Sequence, residues 1–237
     1  MELLKQKVEM GILLPSSAPH SNRWFTVPKR NDTLRLIQYV QPVNKVTIRN
    51  AGIRPTIDKF AEAFVVRSIY SVGDLYSGYN QFQLGMEMET PLCLVWMYTL
   101  PQGGMNSVAH LVNAMNKVLS NCIPDITMPF LDDVPIKGCP VEEREETIGP
   151  DGCRKFVATH VDDCEKVLQR LEGARLTFSG EKSAFGQSEI MVVGHLCGPY
   201  SQNLSPAKVE AISAMRQDCN SVTEVRRFLE HVHSTIS

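Results

Sequence analysis

Long hydrophobic runs are missing from this sequence. The early run Ile12 to Leu14 stops at Pro15, far short of the roughly 20 apolar residues that a membrane span needs. No secretory leader is legible either. Both absences predict an intracellular chain, cytoplasmic or nuclear, with no membrane role. Paired cysteines are also missing. The seven cysteines (93, 122, 139, 153, 164, 197 and 219) contain no Cys-x-x-Cys pair and no zinc-ligand spacing with histidine, which excludes a disulfide scaffold and a zinc ribbon and leaves reduced, packed thiols. His231 and His233 read as solvent-facing residues on a helix end rather than as a metal pair. There is no internal repeat and no low-complexity stretch. What remains is 237 residues with 43% apolar composition, enough to bury a substantial core.

A basic excess is missing from the total as well, since the formal net charge is -2. The distribution matters more than the sum. Residues 1 to 60 hold ten Lys or Arg against four acids, whereas residues 132 to 165 hold ten acids against four basic residues. In the first segment the cations interleave with Trp24, Phe25 and Tyr39, a pattern suited to phosphates and stacked bases. The second segment contains an acidic loop, Val141 to Lys155, with a Gly149-Pro150 turn signal.

The chemistry concentrates in two acidic motifs. Phe130-Leu131-Asp132-Asp133-Val134 lies between the apolar runs Ile126 to Leu131 and Val134 to Ile136, which predicts a β-hairpin with Asp132 and Asp133 at its tip. Asp74-Leu75-Tyr76-Ser77-Gly78-Tyr79-Asn80-Gln81 directly follows Ile69 to Val72, which reads as the end of a strand. Alone, each acidic motif reads more readily as turn chemistry, because Asp favours turns through its own hydrogen bonds. As neighbours in one sheet they bring three carboxylates together, a donor set suited to hard divalent cations that clamp a phosphoryl transfer.

Read together, these segments identify a family. "SNRWFTVPKRNDTLRLIQ", "QPVNKVTIRN", "IYSVGDLYSGYNQFQL", "TLPQGGMNSV", "NAMNKVLSNCIP", "PFLDDVPIKGC", "VVGHL" and "VRRFL" stand in the order found in the reverse transcriptases of gypsy-type long-terminal-repeat retrotransposons, especially fungal ones. The resemblance runs from Arg23 to Leu229. It implies an α+β fold of the right-hand polymerase type, with an antiparallel palm sheet packed on helices and only the start of a thumb. The implied division is fingers at about 1–68 and 83–105, palm at about 69–82 and 106–204, and thumb start at about 205–237.

The same resemblance implies RNA-directed DNA polymerase activity through two magnesium ions, with manganese possible, on a primed RNA or DNA template and deoxynucleoside triphosphates. Asp74, Asp132 and Asp133 become catalytic metal ligands, with the Leu75 carbonyl beside the nucleotide-side ion. Tyr79 becomes the aromatic gate against a ribose 2′-hydroxyl, Gln102 the neighbour of the incoming sugar, and Lys29 and Arg35 the triphosphate contacts. Gly194 and His195 become the primer grip. Departures from the family are a shorter Leu84 to Pro101 segment, Tyr39 in place of an aspartate, and Cys93 and Gly104. Together with a thumb of only two helices, they define a second expectation, a weak or silent remnant of an element that at most binds nucleic acid.

Local patterns predict the surrounding elements. These are a helix over Glu2 to Met10 stopped by Gly11, a hairpin of Trp24 to Val27 with Leu34 to Tyr39, and a helix from Ser107, as its cap, to about Ser120. A helix over Thr159 to Leu171 is expected to turn Val161, Cys164, Leu168 and Leu171 inward. Strands are expected at Leu176 to Phe178 and Ile190 to Leu196. Ser205-Pro206 and the capping box Ser221 to Glu224 open two final helices.

Overall fold

The computed structural model describes residues 2–15, 23–28, 34–50, 57–83, 95–97, 99–150, 152–192, 195–200, 202–204, 210, 221 and 223–226. The chain begins with helix α1 (Glu2–Glu9) and strands β1 (Leu13–Pro15), β2 (Trp24–Pro28) and β3 (Leu34–Gln38). Gly11 at φ +69° lets the chain leave α1 and enter β1, a conformation open to glycine at little steric cost. β2 and β3 pair as an antiparallel hairpin in which Trp24 opposes Gln38 and Val27 opposes Arg35. Short helices α2 (Gln41–Asn44) and α3 (Ile57–Phe64) follow, then β4 (Tyr70–Asp74), α4 (Gly78–Gln81) and β5 (Val95–Met97), which pairs with β1. The second half holds α5 (Ser107–Val118), β6 (Asp133–Lys137), α6 (Lys155–Gly173), β7 (Ala184–Gln187), β8 (Ile190–Val192), β9 (His195–Cys197) and β10 (Gln202–Leu204).

A three-stranded antiparallel sheet in the order β6-β4-β7 organises the centre. Strand alternation sorts its two faces. Val134 and Ile136 of β6 lie opposite Gly73 and Ser71 of β4, and they pack with Leu111 and Met115 of α5 and with Cys164, Val167 and Leu171 of α6. The other face carries Tyr70, Val72 and Asp74 against Lys137, Pro135 and Asp133. At its lower end Tyr70 joins Phe60, Phe64, Ile190 and Val192 in a second apolar cluster. Pro135 is tolerated because β6 is an edge strand, where a missing amide donor costs no ladder bond. Its carbonyl accepts from the buried Thr127 hydroxyl at 2.6 Å.

α6 turns Cys164 and Leu171 inward as expected but leaves Val161 and Leu168 outside. Its buried residues are Phe156, His160, Cys164, Val167 and Leu171, while Val161 is 56% and Leu168 40% exposed. The cause is a polar residue on the inner stripe. Ser71 Oγ and His160 Nε2 lie 2.8 Å apart, and Gly186 N donates to Ser71 Oγ at 3.0 Å. The His160 Nε2 thus has a buried partner, while its Nδ1 is buried without one. Burial holds the His160 pKa below its ordinary value.

Smaller corrections concern caps and strands. Asn106, not Ser107, is the N-cap of α5, and Ser107 is a buried first residue. Leu176 to Phe178 forms one bridge, Leu75 to Phe178, rather than a strand. The segment around Ile190 to Leu196 supplies β8 and β9, with residues 193 and 194 outside the described set. Glu224 N donates to Ser221 Oγ at 3.2 Å, as the capping box requires, while most of the two final helices lies outside the described residues.

The acidic loop satisfies part of its own charge. Arg144 pairs with Glu146 at 2.8 Å and Lys155 with Glu145 at 2.6 Å, and the Arg144 guanidinium lies 4.6 Å from the Phe156 ring centre. Cys122, Cys164 and Cys197 are buried, Cys139 and Cys153 are half-buried, and none of these five forms a disulfide. No helix among the described residues is long and apolar enough to cross a membrane.

Gly73 offers a direct test of the sheet's packing. A Cβ there would meet the Phe178 ring at 2.3, 2.5 and 2.7 Å, so ring or strand must move. Gly73→Ala is expected to cost about 3 kcal/mol, read as a lower urea midpoint. An unchanged midpoint would show that Phe178 does not pack across β4.

Candidate active site

Asp74 is the last residue of β4 and stands directly opposite Asp133, the first residue of β6. Directly opposed residues share a face of the sheet, so register alone brings these two carboxylates together. Asp132 precedes Asp133 in a two-residue turn. Phe130 N donates to Asp133 O at 2.9 Å and Asp133 N to Phe130 O at 3.1 Å, which makes Leu131 and Asp132 the hairpin tip. The expected tip of Asp132 and Asp133 is therefore displaced by one residue. The physical reason is that Leu131 takes φ +56°, a left-handed conformation uncommon for a side chain of this size. Leu75 N donates to Asp132 O at 2.9 Å and ties the turn to the residue after Asp74.

The electrostatics couple Asp132 to both other acids and Asp133 to Asp74. Burial first, then Asp74 and Asp133, push Asp132 up to about 6, against the pull of Lys182 and Arg35. Burial and then Asp74 raise Asp133, with Lys182 opposing. Asp132 Oδ1 is buried and has no hydrogen-bond partner, and an orphaned anionic oxygen is costly unless a cation satisfies it. Asp74 has such a cation. Lys182 Nζ donates to its two oxygens at 3.0 and 3.2 Å.

As placed, no three His, Cys, Asp or Glu side chains among the described residues are gathered closely enough to hold a metal ion. Hard carboxylate oxygens, one of them unpartnered, nonetheless fit magnesium by chemistry. Lys182 is 65% exposed and Asp74 18% exposed, and a pair with so exposed a member is weak enough for a divalent cation to displace.

A cleft of about 610 Å³ opens beside Asp132, while Asp74 and Asp133 are not among the residues that line it. Arg35, Leu75, Gln102, Asp132 and Lys182 line it, and so do Gln6 and Lys7 of α1. The expected residues thus divide. Arg35, Leu75, Gln102 and Asp132 come together on the cleft. Tyr79 is not among the residues that line it and packs half-buried against the core cluster around Leu75. His195 is buried on β9, paired with Val192 and Leu204. Lys29 and Gly194 lie outside the described residues.

Three site residues carry little signal in the sequence. Lys182 sits 108 positions beyond Asp74 in a Ser-Gly-Glu-Lys-Ser turn that reads as a solvated loop. Gln6 and Lys7 read only as the polar face of a short helix.

Comparison with solved structures decides the fold. The foamy viral protease-reverse transcriptase in complex with double-stranded DNA superposes with a TM-score of 0.79 over 98% of this chain and 39% of that chain, at 19% identity. This chain has the reverse transcriptase fold. The same viral enzyme in complex with an RNA/DNA hybrid superposes with a TM-score of 0.75, over 97% of this chain and 29% of the other. In sequence the chain is similar to the Tf2-3 and Tf2-7 transposon polyproteins of Schizosaccharomyces pombe, 24% and 23% identical over 236 residues. That alignment takes in 97% of this chain but spans only 16% of each polyprotein's length. No family model matches the sequence. The chain thus joins the reverse transcriptase fold to a sequence similar to retrotransposon polyproteins, and the antiparallel β6-β4-β7 sheet packed on α5 and α6 carries its acidic residues.

Proposed function

We propose that the chain carries template-directed DNA synthesis. A primer 3′-oxygen bonds to the α-phosphorus of a deoxynucleoside triphosphate, the bond from that phosphorus to the bridging oxygen breaks, and pyrophosphate leaves. The observation that carries this reading is the register pairing of Asp74 with Asp133, with Asp132 in the adjoining turn, at the edge of a cleft that also holds Arg35 and Gln102. Asp74, Asp132 and Asp133 would hold magnesium or manganese. When bound, the ions supply positive charge for the attacking oxygen and the leaving pyrophosphate.

The chain's own groups do the rest. Arg35, exposed on β3, offers a planar fork to triphosphate oxygens, with Lys29 proposed beside it. Gln102 presents an amide to the sugar, and the Leu75 carbonyl adds an oxygen donor near Asp132. Gly194 and His195 are proposed to hold the primer end. Trp24 and Phe25, 48% and 51% exposed on the β2–β3 hairpin, give template bases surfaces to stack on. The proposed division keeps fingers at about 1–68 and 83–105, palm at about 69–82 and 106–204, and thumb from about 205.

The second reading, a nucleic-acid binder without catalysis, is favoured by one observation, the Lys182 ammonium on Asp74. Primer extension on RNA and DNA templates across a salt series separates the two. The polymerase reading expects products a few nucleotides long at low salt, shortening as salt rises, because phosphate contacts are lost with salt. Template binding without product at every salt would leave the binder.

A further inference from the structure

Gln81, at the end of α4, has no spare hydrogen-bonding capacity. Its Nε2 donates to Tyr76 O at 2.7 Å and to Thr177 O at 3.0 Å. Its Oε1 accepts from Thr177 N at 2.7 Å and from Thr177 Oγ1 at 3.1 Å. A side-chain amide has two donors and two acceptor sites, and all four are used. Only asparagine shares this set, on a side chain one methylene shorter, and a flipped amide would oppose donor to donor and acceptor to acceptor.

The two segments that Gln81 joins are also sewn together elsewhere. Tyr76 N donates to Thr177 O at 2.9 Å and Ser179 N to Asp74 O at 2.8 Å. Ser183 Oγ accepts from Asp74 N at 3.2 Å. Residues 74–77 and 177–183 therefore move as one unit, and the second segment carries Lys182 to Asp74. Between Tyr76 and α4, Ser77 sits at φ +52°, a left-handed conformation that persists only where the surroundings hold it. The Gln81 bond to Tyr76 O closes that turn. Tyr76 and Ser77 line the cleft with Arg35, Gln102 and Lys182, so the clamp shapes the wall on which a triphosphate would lie.

We propose that Gln81 is a positioning residue for the incoming nucleotide. It fixes the strained Tyr76-Ser77 backbone against the Thr177 segment, and so sets the distance from that wall to Lys182. This inference rests on the polymerase reading above. Asp74 and Asp133 are aligned by strand register and not by Gln81, so loss of the clamp should weaken nucleotide binding and leave the acids in place.

The test uses the full chain with primer and template, magnesium and a non-hydrolysable deoxynucleoside triphosphate, comparing wild type, Gln81→Glu and Gln81→Met by calorimetric titration. Gln81→Glu keeps shape and acceptors but loses both donors. Gln81→Met loses all four bonds. Both variants are expected to bind the nucleotide about tenfold more weakly, the size of one or two lost hydrogen bonds. Primer–template affinity should be unchanged, and hydrogen exchange should be faster at residues 75–77 and 176–179. Equal nucleotide affinity in all three proteins overturns the assignment. So does a loss that falls in step with melting temperature and template affinity, which marks a purely structural staple. Absence of nucleotide binding by wild type, with template bound, overturns the polymerase reading itself and this role with it.

Discussion

Asp132→Asn is expected to reduce primer extension by about a thousandfold while making the metal-free protein more stable above pH 6. The loss follows from removing a charge aimed at the reacting phosphate without changing the side chain's shape, an effect of the order seen when one preorganised electrostatic group is deleted. The gain follows from linkage. Asp132 is raised from 3.8 to about 6 by burial first and then by Asp74 and Asp133. A carboxyl raised in the folded state contributes stability that is fully present below the unfolded value of 3.8 and is lost as pH rises through about 6. At neutral pH the wild type therefore carries a penalty that asparagine lacks. Allowing for solvent screening of a partly exposed group, the difference is about 1 kcal/mol, or a melting temperature about 3 °C higher for the variant. Thermal melts in EDTA at pH 7.5 and pH 4.5 check the sign, since the gain should fade at the lower pH. Added magnesium should stabilise wild type and not the variant. A variant that loses both activity and stability would show that Asp132 is a structural turn residue.

Gly78→Ala should have the second largest effect, and it acts through geometry rather than charge. A Cβ at Gly78 would lie 2.6 Å from Asp132 Oδ1 and 2.9 Å from its Cγ. The carboxyl cannot yield freely, because the backbone of the same residue is held by the Leu75 amide. Gly78 is the first residue of α4 and its backbone is not left-handed, so alanine is excluded by the carboxylate and not by φ. A carboxylate moved by about 1 Å costs about a hundredfold in rate. Extension should fall by that factor, with template affinity within about twofold of wild type and stability reduced by about 1 kcal/mol. Normal extension by Gly78→Ala would mean that Asp132 can leave its observed position without consequence for the chemistry.

The sequence is most legible where a local rule agrees with the tertiary result. Apolar runs flanking two acids marked the β6 hairpin, Gly11 marked the end of α1, and the segment from Ser107 to about Ser120 marked α5. The Asp74 to Asp133 pairing was legible only as an expectation, because a register cannot be read from either strand alone. The one-residue displacement of the hairpin tip was hidden because nothing in the residue type of Leu131 announces a positive φ. The face of α6 was misread because His160 looks polar and Val161 looks apolar. The Ser71 hydroxyl, 89 positions away in sequence, reverses their burial. The same blindness to distant partners hid Lys182 and the Gln81 clamp, whose hydrogen-bond partners at Asp74 and Thr177 lie 108 and 96 positions away.

Single-nucleotide addition by the purified chain tests the central claim most directly. A labelled primer on a template with one defined next base is incubated at low salt with each deoxynucleoside triphosphate in turn, with magnesium or with EDTA. The account predicts a primer longer by one residue only with the complementary nucleotide, only with magnesium, and not with Asp132→Asn. A primer that stays unextended at every salt while template and magnesium are both bound would contradict it.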